Sequence, residues 1–186
     1  MRTFIAIPLS AECRDTLGRM QRTLRETGAD VRWVAVPSIH LTLKFLGEAD
    51  SLTIPALARE LRAEAGPAPS FRLRVRGLGA FPHPGSPRVV WCGLEGETGA
   101  LELLQRRVEA ASERCGFTPD NRPFRPHLTL GRVRGKRNLS PLADCIKMGS
   151  ELEAPLRVDR FHIYESTLKP QGAVYTVLET IPLTGA

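Results

Sequence analysis

His40-Leu41-Thr42-Leu43 recurs unchanged as His127-Leu128-Thr129-Leu130, 87 positions further along the chain. With 4 histidines, 24 leucines and 13 threonines in 186 residues, chance placement gives about 0.005 such tetrapeptides, so two copies mark a feature built twice. On an extended strand, successive side chains alternate faces. Histidine and threonine then share one side, and the two leucines anchor the other. If the two strands come from similar halves and pack side by side about a pseudo-twofold axis, two imidazoles and two hydroxyls converge on one groove.

Working outward, residues 31–35 and 39–46 alternate like strands around a turn at Pro37-Ser38. Residues 2–8 read as a strand, and Cys13, Leu17, Met20 and Leu24 mark one face of a helix capped by Ser10. A second helix is predicted over 52–65, ending at Gly66-Pro67. Residues 70–78 alternate Phe71, Leu73 and Val75 against Arg72, Arg74 and Arg76, a half-exposed strand whose cationic stripe is read as a solvated face ahead of an RNA contact. After a loop over Phe81-Pro82-His83-Pro84-Gly85 come a strand over 87–94 and a helix marked by Leu101, Leu104, Val108, Ala111 and Cys115, stopped by Gly116. Residues 126–131 read as a strand, 140–148 as a short helix, and 156–164 and 173–181 as two last strands. This order lacks a regular βαβ alternation, so the fold class is α+β with largely antiparallel sheets.

A pair of histidines flanked by threonines suits a phosphate diester. Opening a cyclic phosphate with water needs a base for the water's proton and an acid for the departing ribose oxygen. Histidine serves both roles because its pKa lies near neutrality. Threonine hydroxyls can donate to non-bridging oxygens, where charge grows in the transition state. A single His-x-Thr is more often a hydrogen-bonded structural pair than an active site. Two identical copies holding half of the chain's histidines reverse that weighting. Metal ligation by the pair is a further reading, but no Asp, Glu or Cys stands at ligand spacing beside either copy.

Composition is that of an ordinary globular protein, 42% hydrophobic and 25% charged, which excludes disordered and collagenous classes. The apolar run after Met1-Arg2 is too short for a signal-peptide core, and no window approaches the roughly 18 apolar residues of a membrane span. Cys13, Cys92, Cys115 and Cys145 lie far apart without a Cys-x-x-Cys pair, which supports neither a disulfide framework nor a zinc site. A compact cytoplasmic protein is expected. The net charge of +6 and pI near 9.6 favour an anionic partner without naming it.

The repeated tetrapeptide, with Arg2-Thr3-Phe4-Ile5-Ala6-Ile7, Phe45-Leu46-Gly47-Glu48, Gly79-Ala80-Phe81-Pro82, Phe124-Arg125-Pro126, the stretch from Leu168 to Gly172 and Tyr175, resembles the two-histidine phosphoesterases. Within them it is most similar to the bacterial and archaeal RNA 2′,3′-cyclic phosphodiesterases first described as 2′-5′ RNA ligases. The resemblance covers nearly the whole chain. It implies one bilobal unit over 1–186, with helices outside two sheets and pseudo-twofold related lobes flanking a central groove. It also implies hydrolysis of a cyclic RNA end to a 2′-phosphate and no metal requirement; no other cofactor, no membrane, no obligate protein partner and a monomer are expected, with the oligomeric state left open by the sequence. By resemblance His40 is the proton donor and His127 the proton acceptor, although near-symmetric motifs do not assign the roles themselves. Ligation of a cyclic end to a 5′-hydroxyl and non-catalytic RNA binding are the alternatives. The natural substrate, whether tRNA fragment, other RNA end or small cyclic nucleotide, stays open.

Arg132 follows the second tetrapeptide as in that family, where a guanidinium can pair with a phosphate oxygen alongside Thr42 and Thr129. Strict alternation would aim Arg132 away from His127, so the strand must end or bulge nearby. Phe45 holds the matching place after the first copy and reads either as a platform for a terminal base or as a core aromatic. Arg122, Arg125, Arg132, Arg134, Lys136 and Arg137 form an interval without acidic residues, either an RNA-backbone track or a solvated loop. His83 and His162 receive no role.

Overall fold

The two copies of the tetrapeptide belong to different sheets. The computed structural model describes residues 1–170 and 172–185, which leaves Gln171 of the Leu168-to-Gly172 stretch outside the described residues. One sheet contains β1 (Arg2–Ile7), β3 (Leu41–Glu48), β8 (Arg160–Lys169) and β9 (Gly172–Pro182) in the order β3-β1-β8-β9. The other contains β2 (Val31–Trp33), β4 (Phe71–His83), β5 (Ser86–Gly96), β6 (Leu128–Val133) and β7 (Glu153–Val158) in the order β2-β6-β5-β4-β7. Every pairing between these strands is antiparallel. With four α-helices among the described residues, the class is α+β as the sequence indicated.

The helices form where apolar side chains recur at helical spacing. In α1 (Ala11–Arg25), Cys13, Leu17, Met20 and Leu24 are buried, and the Ser10 hydroxyl accepts from the Cys13 N–H at 3.2 Å. Such a cap contributes about 1 kcal/mol. Leu57 and Leu61 of α2 (Ile54–Glu64), Leu101, Leu104 and Val108 of α3 (Thr98–Arg114), and Leu142 and Ile146 of α4 (Leu139–Met148) are buried likewise. Among the described residues no helix is long and apolar enough to cross a membrane.

The two sheets repeat one plan. β1, α1, β3, α2 is echoed by β5, α3, β6, α4, and the order β3-β1-β8-β9 matches β6-β5-β4-β7. Both copies carry the same bulge. Ala6 faces Thr42 while Ile5 faces Lys44, so Leu43 is passed over; Trp91 faces Thr129 while Val90 faces Gly131, so Leu130 is passed over. After the extra residue the alternation restarts in opposite phase. Lys44 and Gly131 are therefore buried, and Phe45 and Arg132 return to the side of the histidines and threonines.

One arrangement and three boundaries differ from expectation. β3 and β6 do not lie side by side, because each is paired inside its own sheet. Residues 81–83 continue β4 instead of forming a loop, and Pro84-Gly85 alone turns the hairpin. Pro82 is tolerated because it sits opposite Pro87 at a register shift near the hairpin end, where neither must donate to the ladder. Residues 156–164 divide between β7 and β8, which belong to different sheets. The corner is Asp159, whose carbonyl accepts from Leu183 at 2.8 Å and whose carboxylate pairs with Arg160 at 2.8 Å. The strand predicted over 31–35 stops at Trp33, and a 3-10 turn over Val36–Ser38 follows. On β4, Arg74 and Arg76 lie within 3.6–3.7 Å of Glu153 and Glu95, a solvated face balanced by exposed ion pairs.

Candidate active site

His40 and His127 are each the residue immediately before a strand, and each is held by the same local bond. His40 Nδ1 lies 2.9 Å from the Ser38 carbonyl and His127 Nδ1 2.6 Å from the Arg125 carbonyl, two residues back in both cases. A carbonyl oxygen only accepts, so both rings carry their proton on Nδ1 when neutral. Nε2 is then the free nitrogen of each ring, the arrangement proton transfer requires. Thr42 and Thr129 are half-buried between buried leucines, as the alternation dictates.

The surroundings of the two imidazoles differ. His40 stacks on Phe4 with centroids 4.6 Å apart, and Tyr175 meets it edge-on at 5.1 Å. Phe4 in turn stacks on Tyr164 at 5.1 Å. Burial on this aromatic floor holds the His40 pKa below the usual histidine value, with the Ser38 hydrogen bond opposing it. His127 meets Phe81 edge-on at 4.9 Å and lies 6.5 Å from Trp91. Trp91 fits only because residue 79 is glycine, since a Cβ there would approach its ring to 2.2 Å. Among the described residues the buried Trp91 Nε1 has no acceptor.

A cavity of about 680 Å³ draws on both sheets. Thr42, Lys44 and Phe45 of the first copy line it together with His127 and Arg132 of the second. Phe81, Val89, Phe124, Arg122 and Arg125 also belong to its wall, with the acidic Asp120 among them. His40 and Thr129 are not among its lining residues. Arg132 also links the halves, because its charge partly offsets the burial that raises the Tyr175 phenol pKa. Arg132 reaches this face through the bulge at Leu130. Phe45 is 68% exposed and lines the cavity, which removes the core reading of that ring.

The cationic interval divides. Arg122, Arg125 and Arg132 line the cavity, whereas Arg134 lies 4.0 Å from Asp30 and Arg137 donates to the Gly28 carbonyl at 3.2 Å. His83 ends β4, and His162 Nδ1 lies 2.9 Å from the Thr180 hydroxyl; neither lines the cavity.

Sequence reasoning missed the aromatic floor and a buried ion pair. The Lys44 side chain is 1% exposed and donates to Glu109 Oε1 at 2.6 Å and to the Thr118 carbonyl at 3.0 Å. The same Glu109 oxygen accepts from the Asp120 N–H at 2.8 Å. The pair thus fastens β3 to α3 and to the loop that carries Arg122, Phe124 and Arg125. Its signal was a lone lysine inside the apolar run Leu41–Leu46. Among the described residues no three His, Cys, Asp or Glu side chains gather as a metal-holding set.

Residues 15–169 match the family model of the 2′-5′ RNA ligase superfamily. An RNA 2′,3′-cyclic phosphodiesterase of Methanothermobacter thermautotrophicus is 35% identical over 184 residues, 98% of this chain and 99% of the relative. A solved structure from Thermus thermophilus superposes with a TM-score of 0.79 at 32% identity, over 100% of this chain and 99% of the other. Escherichia coli LigT in complex with 3′-AMP gives 0.76 at 29% identity, over 98% of each chain.

Proposed function

The chain belongs to the 2′-5′ RNA ligase superfamily, and from that footing we propose that it hydrolyses 2′,3′-cyclic phosphate ends of RNA to 2′-phosphomonoesters. The observation that carries this reading is the pair of histidines locked by Nδ1–H bonds to the carbonyl two residues back, each with Nε2 free. His127 Nε2 takes the proton of the attacking water. His40, entering the cycle protonated, gives its Nε2 proton to the departing 3′-oxygen, so the phosphate remains on the 2′-oxygen. Burial lowers the His40 pKa, so its protonated ring gives up the proton readily, and the negative charge of the bound diester favours that protonated form. Thr42, Thr129 and Arg132 bind the non-bridging oxygens. Phe45 offers its exposed ring to the terminal base.

One chain supplies all these groups, and both sheets contribute to the cavity, which supports residues 1–186 acting as one bilobal monomer without an obligate protein partner. Four free cysteines suit the reducing cytoplasm. The reaction as drawn engages no metal. The test is to incubate EDTA-treated protein with a short RNA ending in a 2′,3′-cyclic phosphate and to resolve 2′- from 3′-phosphate products. Conversion to the 2′-phosphate, lost in His40→Ala and His127→Ala, is the expected outcome. Absence of conversion by folded protein would overturn it in favour of ligation, detected as a 2′-5′ linkage between paired RNA halves, or of RNA binding alone.

A further inference from the structure

β2 adds a cation to the groove face that neither the repeated tetrapeptide nor the cavity wall includes. It pairs with β6 in unbroken register, Val31 opposite Val133, Arg32 opposite Arg132 and Trp33 opposite Gly131. Residues directly opposite in an antiparallel pair project from the same face with Cβ atoms about 5 Å apart. The face is fixed independently. A Cβ on Gly131 would meet Val31 at 2.6 Å and Trp33 at 2.9 Å, so those two side chains cover the inner side. Arg32, between them, projects outward with Arg132.

The row continues across the sheet as Arg32, Arg132, Val89 and Phe81, and the last three line the cavity. Arg32 is exposed at the end of this row, on the edge strand. Two like charges in direct opposition destabilise a strand pair. Arg74 and Arg76 of the same sheet have carboxylates within 4.0 Å, as does Arg134 of the loop after β6; among the described residues Arg72 opposite Arg157 has none, and neither has Arg32 opposite Arg132, the pair that shares a row with the cavity wall. The uncompensated pair lies where the groove runs out, which suits a ligand with two successive negative charges.

We infer that Arg32 is a second phosphate subsite, which receives the phosphodiester on the 5′ side of the terminal nucleotide while Arg132 serves the cyclic phosphate. The inference rests on the functional reading above and specifies its substrate as an oligonucleotide end in preference to a free cyclic mononucleotide. Each single-strand phosphate neutralised by a cation contributes roughly 0.7 to the slope of log affinity against log salt.

The experiment compares a nucleoside 2′,3′-cyclic phosphate, which has no second phosphate, with a dinucleotide ending in the same group. Arg32→Gln is expected to leave the mononucleotide within about twofold of wild type. For the dinucleotide it should raise KM roughly tenfold at unchanged kcat and lower the salt slope by about 0.7. Arg59→Gln on α2 serves as the control and should change neither. Equal KM and slope for wild type and Arg32→Gln on the dinucleotide would overturn the subsite, as would equal losses on both substrates. If wild type opens neither substrate, the functional reading falls. Equilibrium binding of a dinucleotide bearing a terminal 2′-phosphate to the same variants then still decides the role of Arg32.

Discussion

The first and second copies of the tetrapeptide share a bulge, a histidine clamp and a strand order, and differ in what surrounds them. Position by position, Lys44 answers to Gly131, Phe45 to Arg132 and Ala6 to Trp91. Across the next strand, His162 faces Ala6 where Gly79 faces Trp91, so the large and small partners are exchanged. A near-symmetric frame thus holds two identical imidazoles in unlike settings. The frame places both Nε2 atoms, and the unlike neighbours give one histidine a buried aromatic bed and the other a groove with cations. The proposed division into an acid and a base of the same residue type needs that kind of difference.

The largest test of this comparison removes each histidine. Alanine at His40 or His127 should lower kcat by roughly 10² to 10⁴. A cyclic substrate whose departing 3′-oxygen is replaced by sulfur leaves without a proton. It should restore turnover to His40→Ala and not to His127→Ala, as measured by thiol release; the opposite pattern would exchange the two roles.

Next in size is the asymmetry at Lys44. Lys44→Met leaves Glu109, which is 21% exposed, without its cation, and should cost roughly 2–3 kcal/mol of stability, less than a fully buried pair would. Thermal unfolding reads this loss. Faster hydrogen exchange at the Asp120 amide would show that the loop has loosened. Lys44→Met/Glu109→Leu should recover part of the stability. A Lys44→Met protein as stable as wild type would sink the account.

A smaller effect separates Phe45 from Arg132. Arg132→Gln should raise KM about tenfold and flatten its salt dependence, whereas Phe45→Ala should raise KM by a similar or smaller factor with the salt slope unchanged. Equal salt responses would mean that the two positions are not specialised.

The smallest concerns pH. The folded-state pKa of His40 lies below its unfolded value, so its contribution to stability is present above about pH 6.5 and is lost as pH falls through the folded pKa. The fall in melting temperature between neutral and mildly acidic pH should therefore be shallower in His40→Gln than in wild type. An identical fall would remove the burial effect.

Much of the site was legible in the chain because strand alternation is a strong constraint. The repeated histidines, the threonines beside them and the bulge that Arg132 required follow from a period of two and from chemistry. Helix faces such as Leu101, Leu104 and Val108 were legible for the same reason at a period of 3.6. The corner at Asp159 was not, because no glycine or proline marks it and the bonds that turn it come from Leu183 and from the next residue's side chain. The bed of Phe4, Tyr164 and Tyr175 under His40 was hidden because those residues lie on three strands whose adjacency is set by sheet order. An apolar strand predicts that such side chains are buried, not which histidine they underlie.

The strand orders also determine how the protein can be taken apart. The sheet of the first copy is completed by β8 and β9 from the end of the chain, and the sheet of the second by β2 from its beginning. The repeated halves are therefore interlocked: fragments 1–66 and 67–186 would each hold one tetrapeptide and strands of both sheets, neither sheet complete. Cutting the chain between the copies should therefore yield pieces that recover activity only when mixed.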